Sequence, residues 1–201
     1  MQRKGMLIIV SGPSGVGKGT ICAELRARNP QIRESISMTT RARRNGETEG
    51  VDYFYVSEER FNEMAAHGEM LEHAYVHGNQ YGTPLAYVVE QLEQGYDVLL
   101  EIDVQGSIQA MKAYPDAVTI FILPPNRAEL RNRLIKRATE TPEAISLRLR
   151  NAELELFMTK EYQYCVVNDE VDRAVSKVEA ILTAESCKVS RGAQIAMDDR
   201  Q

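Results

Sequence analysis

The sequence predicts an α/β fold in which a parallel sheet carries helices on both faces. Three observations predict it. Residues 7–10, 97–102, 118–123 and 164–167 are short, apolar and β-branched, as strands buried on both faces are, with little of the alternation of a half-exposed sheet. Segments with helical spacing (17–28, 84–94, 105–112, 126–137 and 170–186) separate them, and parallel strands need such crossovers. Between the first strand and the first helix lies Gly12-Pro13-Ser14-Gly15-Val16-Gly17-Lys18-Gly19-Thr20, a glycine-rich turn of the kind that cradles phosphate.

That turn begins after Ser11. Its glycines let the backbone curl and aim successive N–H groups inward, a concavity suited to a polyphosphate. Lys18 adds a point charge for the β- and γ-phosphates, and the helix N-terminus adds more. A nucleoside triphosphate is the expected ligand, and the P-loop NTPase fold the expected architecture. One departure stands out: Gly19 follows the lysine where Ser or Thr is usual, and the hydroxyl comes at Thr20. Mg²⁺ is then held by Thr20, or mostly by phosphates and water, since this ion retains several waters. The helix over 17–28 sets Ile21 and Leu25 on one face and stops near Asn29-Pro30.

Residues 37–83 break the alternation. Stretches 52–56, 69–76 and 79–82 read as short strands, with a helix over 57–67, so a small mixed α+β insertion is expected. A second insertion, about 134–150, is charged and helical and bears Arg137 and Arg148. Two polar insertions beside a phosphate loop are expected to close over substrates. Sheets of this kind bind ligands at the carboxyl ends of their strands, which puts Asp103 and Asn168 on the same rim as the loop.

A chain of 201 residues suffices for one good core with appended segments. Its net charge of −5 argues against a nucleic-acid binder. Basic residues nevertheless gather early (Arg33, Arg41, Arg43, Arg44) and late (Arg131, Arg133, Lys136, Arg137, Arg148, Arg150), which suits a small polyanion in a cleft, although solvated helix faces account for some of them. Three cysteines without a C-x-x-C pair argue against a disulfide framework or zinc knuckle and fit a reducing compartment. The apolar run after Arg3 and Lys4 is too short for a signal peptide, and no stretch is long enough to span a bilayer. A soluble, cytoplasmic protein without membrane partners is expected, with homo-oligomerisation left open. His73 and His77 lie in a predicted strand and turn without the order of a zinc motif, and read as exposed strand residues.

The loop at 12–18, Ser37-Met38-Thr39-Thr40-Arg41-Ala42-Arg43-Arg44, Gly50-Val51-Asp52-Tyr53, Leu71-Glu72, Tyr81-Gly82-Thr83, Ile102-Asp103-Val104-Gln105-Gly106 and the basic stretch from Arg133 to Arg148 together carry a resemblance. In this order they resemble the guanylate kinases, which move a phosphoryl group from ATP to GMP. The resemblance covers residues 4–184. It implies a core of 4–36, 84–133 and 151–186, a GMP-binding insertion of 37–83, a lid of 134–150, and a tail of 187–201. It further implies ATP and GMP or dGMP as partners, with Mg²⁺ accompanying ATP.

Residue by residue, the resemblance sets Ser37, Glu72, Thr83 and Asp103 at the guanine base. A carboxylate suits guanine, whose N1–H and 2-amino group present adjacent donors, whereas adenine leaves the acid unpaired. Arg41, Arg44, Tyr53 and Tyr81 fall where the family grips the acceptor phosphate, although the tyrosines serve equally as packing residues. Ser11 through Thr20 bind ATP. Lys18, Arg133, Arg137 and Arg148 neutralise the transferring and donor phosphates, Arg41 completing the catalytic set. Asn168 either contacts the donor adenine or ends its strand in a plain turn. Glu101 stands where many relatives carry Asp, and is expected to reach Mg²⁺ only through water. The acceptor oxygen is already ionised at neutral pH, so no general base is needed. The rival readings are a guanylate-kinase-like scaffold module that binds peptides without catalysis, and a kinase of another phosphorylated acceptor. The glycine-lysine loop with its lid arginines opposes the first, and Glu72 with Asp103 opposes the second.

Overall fold

The computed structural model describes residues 4–76, 78–136 and 142–191. In chain order the elements are β1 (Leu7–Ser11), α1 (Lys18–Arg28), β2 (Ile32–Glu34), β3 (Met38–Thr39), β4 (Phe54–Tyr55), α2 (Glu58–Ala66), β5 (Met70–Val76), β6 (Asn79–Pro84), α3 (Leu85–Glu93), β7 (Asp97–Glu101), α4 (Val104–Ala113), β8 (Val118–Leu123), α5 (Arg127–Lys136), α6 (Pro142–Leu156), β9 (Tyr164–Val167) and α7 (Val171–Ser186). β1 is central in a five-stranded sheet ordered β2-β7-β1-β8-β9, and every pairing in it is parallel. The chain builds first toward β2 and β7, then reverses across β1 to β8 and β9. The loop after β1 therefore leaves the sheet beside this reversal, where α/β sheets open a crevice.

β1 shows how the sequence builds both halves of the core. Ile8 and Val10 point to one face, where they join Ile21 and Leu25 of α1 and Val175 and Val178 of α7. Leu7 and Ile9 point to the other, against Val88 and Leu92 of α3 and Ala110 of α4. A period of two thus feeds two cores from one strand, which is why the run reads as continuously apolar. All four side chains are fully buried, each contributing about 1.5–3 kcal/mol of hydrophobic stabilisation.

The second sheet, ordered β4-β3-β6-β5, has its own small core of Met38, Phe61, Met64 and Met70. α2 enters it cleanly because the Ser57 hydroxyl accepts from the Arg60 N–H and Glu58 and Glu59 favour the positive helix end. β2 and β3 went unseen in the sequence for a physical reason. They are three and two residues long, and β2 buries only Ile32, so neither displays a period. The strand expected over 52–56 shrinks to Phe54–Tyr55, because Thr48 to Asp52 form a turn closed by the Thr48 N–H on the Asp52 carboxylate.

The charged helical segment expected over 134–150 is the end of α5 together with α6, which continues to Leu156. Leu130 and Leu134 of α5 pack on Ala152 of α6. Residues 137–141, Arg137 among them, lie outside the described residues, as does His77. His73 is exposed on β5. Among the described residues no group of side chains is arranged to hold a metal ion by itself, and no helix is long and apolar enough to cross a membrane.

Candidate active site

Gly17 caps α1 in the left-handed region, with φ at 98°. No side chain caps this helix and its first turn carries no acid, so its N–H groups stay available to an anion. The Lys18 ammonium donates to the Gly12 carbonyl at 2.5 Å and lies 3.4 Å from that of Pro13. Burial lowers the Lys18 pKa, while Glu101, Glu155 and Asp103 nearby favour the ammonium form. The lysine is held within the loop by carbonyls and ringed by acids, a partly desolvated cation facing the cradle.

Two side chains fix the loop from the far end of the sheet. Asn168, buried after β9, donates through Nδ2 to the Val16 carbonyl at 2.8 Å. Arg133 donates to the same carbonyl at 3.1 Å and to the Asn168 carbonyl at 3.2 Å, with its Nε on Glu129. A Cβ at position 17 would stand 2.5 Å from Asn168 Nδ2, so packing as well as φ demands glycine there. From α6, Glu155 reaches over the loop, its Oε2 3.3 Å from the Ser14 N–H. Burial raises the Glu155 pKa. Arg148 is exposed on α6.

Thr20 and Glu101 are not brought together. Thr20 lines a cleft with Gly17, Arg133, Asn168 and Asp169, whereas Glu101 faces Gly19 and Lys18. A Cβ on Gly19 would lie 3.6 Å from Glu101 Oε1, and the two line a cleft of about 240 Å³ together with Ser14 and Lys18. Burial raises the Glu101 pKa and Lys18 opposes the rise.

On the second sheet, β5 and β6 place Glu72 opposite Thr83, and the buried Thr83 hydroxyl donates to Glu72 Oε1 at 2.7 Å. Oε2 is directed at the first turn of α4 near Asp103, which caps that helix by accepting from the Gly106 N–H at 2.8 Å. Burial raises the Glu72 pKa, and the Asp103 charge adds to the rise. Ser37 and Tyr53 line one cleft of about 840 Å³ that extends to Glu101.

Of the four residues expected at the acceptor phosphate, Arg41, Tyr53 and Tyr81 lie near one another. Tyr53 and Tyr81 meet edge-on with ring centroids 6.0 Å apart, and the Arg41 guanidinium stands 5.4 Å from the Tyr53 ring. Arg44 is exposed, and its N–H donates to Glu47. Arg33, grouped with these arginines by sequence, lines the same cleft as Ser37 and Tyr53, but its guanidinium stacks on Tyr96 and donates to Gln91.

Sequence reasoning missed Glu47. Both its oxygens meet Arg41, at 2.7 and 3.1 Å, and Oε2 also accepts from the Tyr55 hydroxyl. Arg41 foremost, then the Arg44 N–H and Tyr55, hold the Glu47 carboxyl down to about 2. Burial first, and then Glu47, push the Tyr55 phenol up to about 12. A six-residue separation in an irregular loop carries no periodic signal that would have revealed the pair.

A family model described as guanylate kinase matches residues 4–185. The chain is 50% identical over 190 residues to a guanylate kinase of Halalkalibacterium halodurans, covering 94% of this chain and 93% of that one. It is 47% identical over 201 residues to one of Caldanaerobacter subterraneus subsp. tengcongensis, covering 100% and 98%. Among solved structures it resembles the guanylate kinase of Anaplasma phagocytophilum with a TM-score of 0.71 at 34% identity, covering 95% of this chain and 91% of the other.

Proposed function

The chain belongs to the guanylate kinase family and transfers the γ-phosphoryl group of ATP to GMP, and from that premise we propose how its residues divide the work. The observation that carries the division is Glu72: a buried acid with one oxygen engaged by Thr83 and the other directed toward Asp103, across the cleft from an uncapped helix N-terminus and its lysine. The guanine edge, with adjacent N1–H and 2-amino donors, satisfies such an acid, and adenine does not. Ser37, Thr83 and Asp103 complete the base pocket. Arg41, Arg44, Tyr53 and Tyr81 take the acceptor phosphate, with Glu47 holding Arg41 in place until that phosphate arrives. These residues belong to an acceptor-binding insertion of 37–83, and the chain over 134–150 acts as a lid on a domain of 4–184, followed by a tail of 187–201.

Residues Ser11 to Thr20 seat the triphosphate, with Asn168 and Arg133 keeping the loop curled from behind. An ionised oxygen of GMP attacks the γ-phosphorus, the bond to the β,γ-bridging oxygen breaks, and ADP leaves with that electron pair. The reaction is then one of alignment and charge neutralisation, served by Lys18, Arg41, Arg133, Arg137 and Arg148. Mg²⁺ bound with ATP would neutralise phosphate charge, and Glu101, beside Gly19, would meet it through water, with phosphates and water supplying the rest. An ADP-release assay with ATP, Mg²⁺ and GMP, AMP or UMP tests the reading. GMP is expected to be the strongly preferred acceptor; no ADP above background, or equal rates with AMP, overturns it.

A further inference from the structure

Gly106 has no backbone reason to be glycine. It lies in the first turn of α4, is buried, and is absent from the residues with positive φ. Glycine is a poor helix former, so at this position alanine would be the better choice for the helix alone. What stands against alanine is Glu72. A Cβ at Gly106 would stand 3.0 Å from Glu72 Oε2, 3.6 Å from its Cδ and 3.5 Å from Asp103 Oδ1. A methyl there would press on the second oxygen of the acid and push it by a few tenths of an ångström.

One turn further along, Gln109 acts on the same strand. Its Nε2 donates to the His73 carbonyl at 3.2 Å, and its Oε1 accepts from the His73 N–H at 3.2 Å. β5 is the outer strand of its sheet, so His73 presents its main-chain groups outward. The Gln109 amide pairs with both of them as a neighbouring strand would, and ties the backbone next to Glu72 to the helix that Asp103 caps.

We propose that Gly106 and Gln109 are the positioning residues for guanine selection: Gly106 by leaving room for the Glu72 carboxylate against α4, and Gln109 by fixing the strand that carries it. The inference rests on the reading of Glu72 as the base-binding acid. Neither residue touches the nucleotide in this arrangement; each sets where Oε2 lies relative to Asp103.

The test measures KM for GMP and for ATP, kcat/KM for GMP against IMP (guanine without the 2-amino group), and melting temperature, for Gly106→Ala, Gln109→Leu and the reference Glu72→Gln. Gly106→Ala is expected to raise the GMP KM about tenfold and narrow the GMP-over-IMP preference, with the ATP KM moving less than about twofold. Its melting temperature should change little, because what alanine adds to the helix is set against the crowding of Glu72. Gln109→Leu changes a half-buried side chain and should shift the same two quantities by a smaller factor; it decides the matter should Gly106→Ala fail to fold. If Glu72→Gln raises the GMP KM while both α4 variants leave GMP and IMP unchanged, the positioning role is wrong and the base reading stands. An unaffected GMP KM in Glu72→Gln removes the base reading, and this proposal with it. Parallel losses for GMP and ATP in the α4 variants reduce their effect to general damage and also overturn the proposal.

Discussion

Replacing Glu72 by Gln keeps the shape of the side chain and removes its charge. In the native site Oε1 accepts from Thr83 and, on the proposed reading, Oε2 meets the guanine, whereas an amide has one acceptor to divide between the two. A hydrogen bond to a charged group contributes about 1.5–3 kcal/mol. At 1.4 kcal/mol per factor of ten, the GMP KM should rise about 10- to 150-fold, with the ATP KM nearly unchanged. Stability should move the opposite way. The Glu72 pKa is raised by burial and by Asp103, so the folded state binds this proton more tightly than the unfolded chain does. The stability associated with protonated Glu72 is complete below the ordinary carboxylate pKa and lost as pH rises through the raised value. Above the raised value the native protein holds an ionised acid at a cost that glutamine avoids. The ligand-free variant should melt higher than the native protein at about pH 7.5, the difference fading toward about pH 4. Steady-state kinetics with each nucleotide varied, together with melting curves across that range, give the answer. Equal weakening of GMP and ATP, or a lower melting temperature at neutral pH, refutes the reasoning.

Lys18→Ala should lower kcat by at least about a hundredfold with little change in melting temperature, because the ammonium serves developing charge rather than the core; retention of most of the turnover counts against that role. Asn168→Ala removes the buried bond to the Val16 carbonyl and should cost about 1–2 kcal/mol while raising the ATP KM more than that of GMP, as read by denaturant unfolding and kinetics. Loss of ATP affinity without any loss of stability would instead point to direct contact with the nucleotide. Glu185, fully buried on α7, accepts from the Tyr164 hydroxyl and pairs with Lys188 and Arg191, so Glu185→Ala should destabilise the fold by about 1–3 kcal/mol and leave both KM values unchanged.

The chemistry of the site was readable in local sequence wherever the signal is itself local. The 12–20 loop declares itself by glycine spacing and by the strand and helix around it. β8 and β9 are continuous apolar runs, and the sequence bounded them at the residues where they pair. Glu47 and Gln109 could not be found that way, since each acts through a partner distant in space or irregular in sequence. Asn168 was legible as a strand end, but its bond to Val16 spans 152 positions.

Composition and spacing alone determined that this chain folds as a parallel α/β sheet around a phosphate loop, because buried strands and tight glycine turns depend on neighbouring residues. Only the tertiary structure decided which groups face one another: Gly19 rather than Thr20 opposite Glu101, Glu47 on Arg41, and Glu72 against the bare turn at Gly106. Such pairings follow from how the two sheets and their helices pack, and distances set by packing leave no period in the chain.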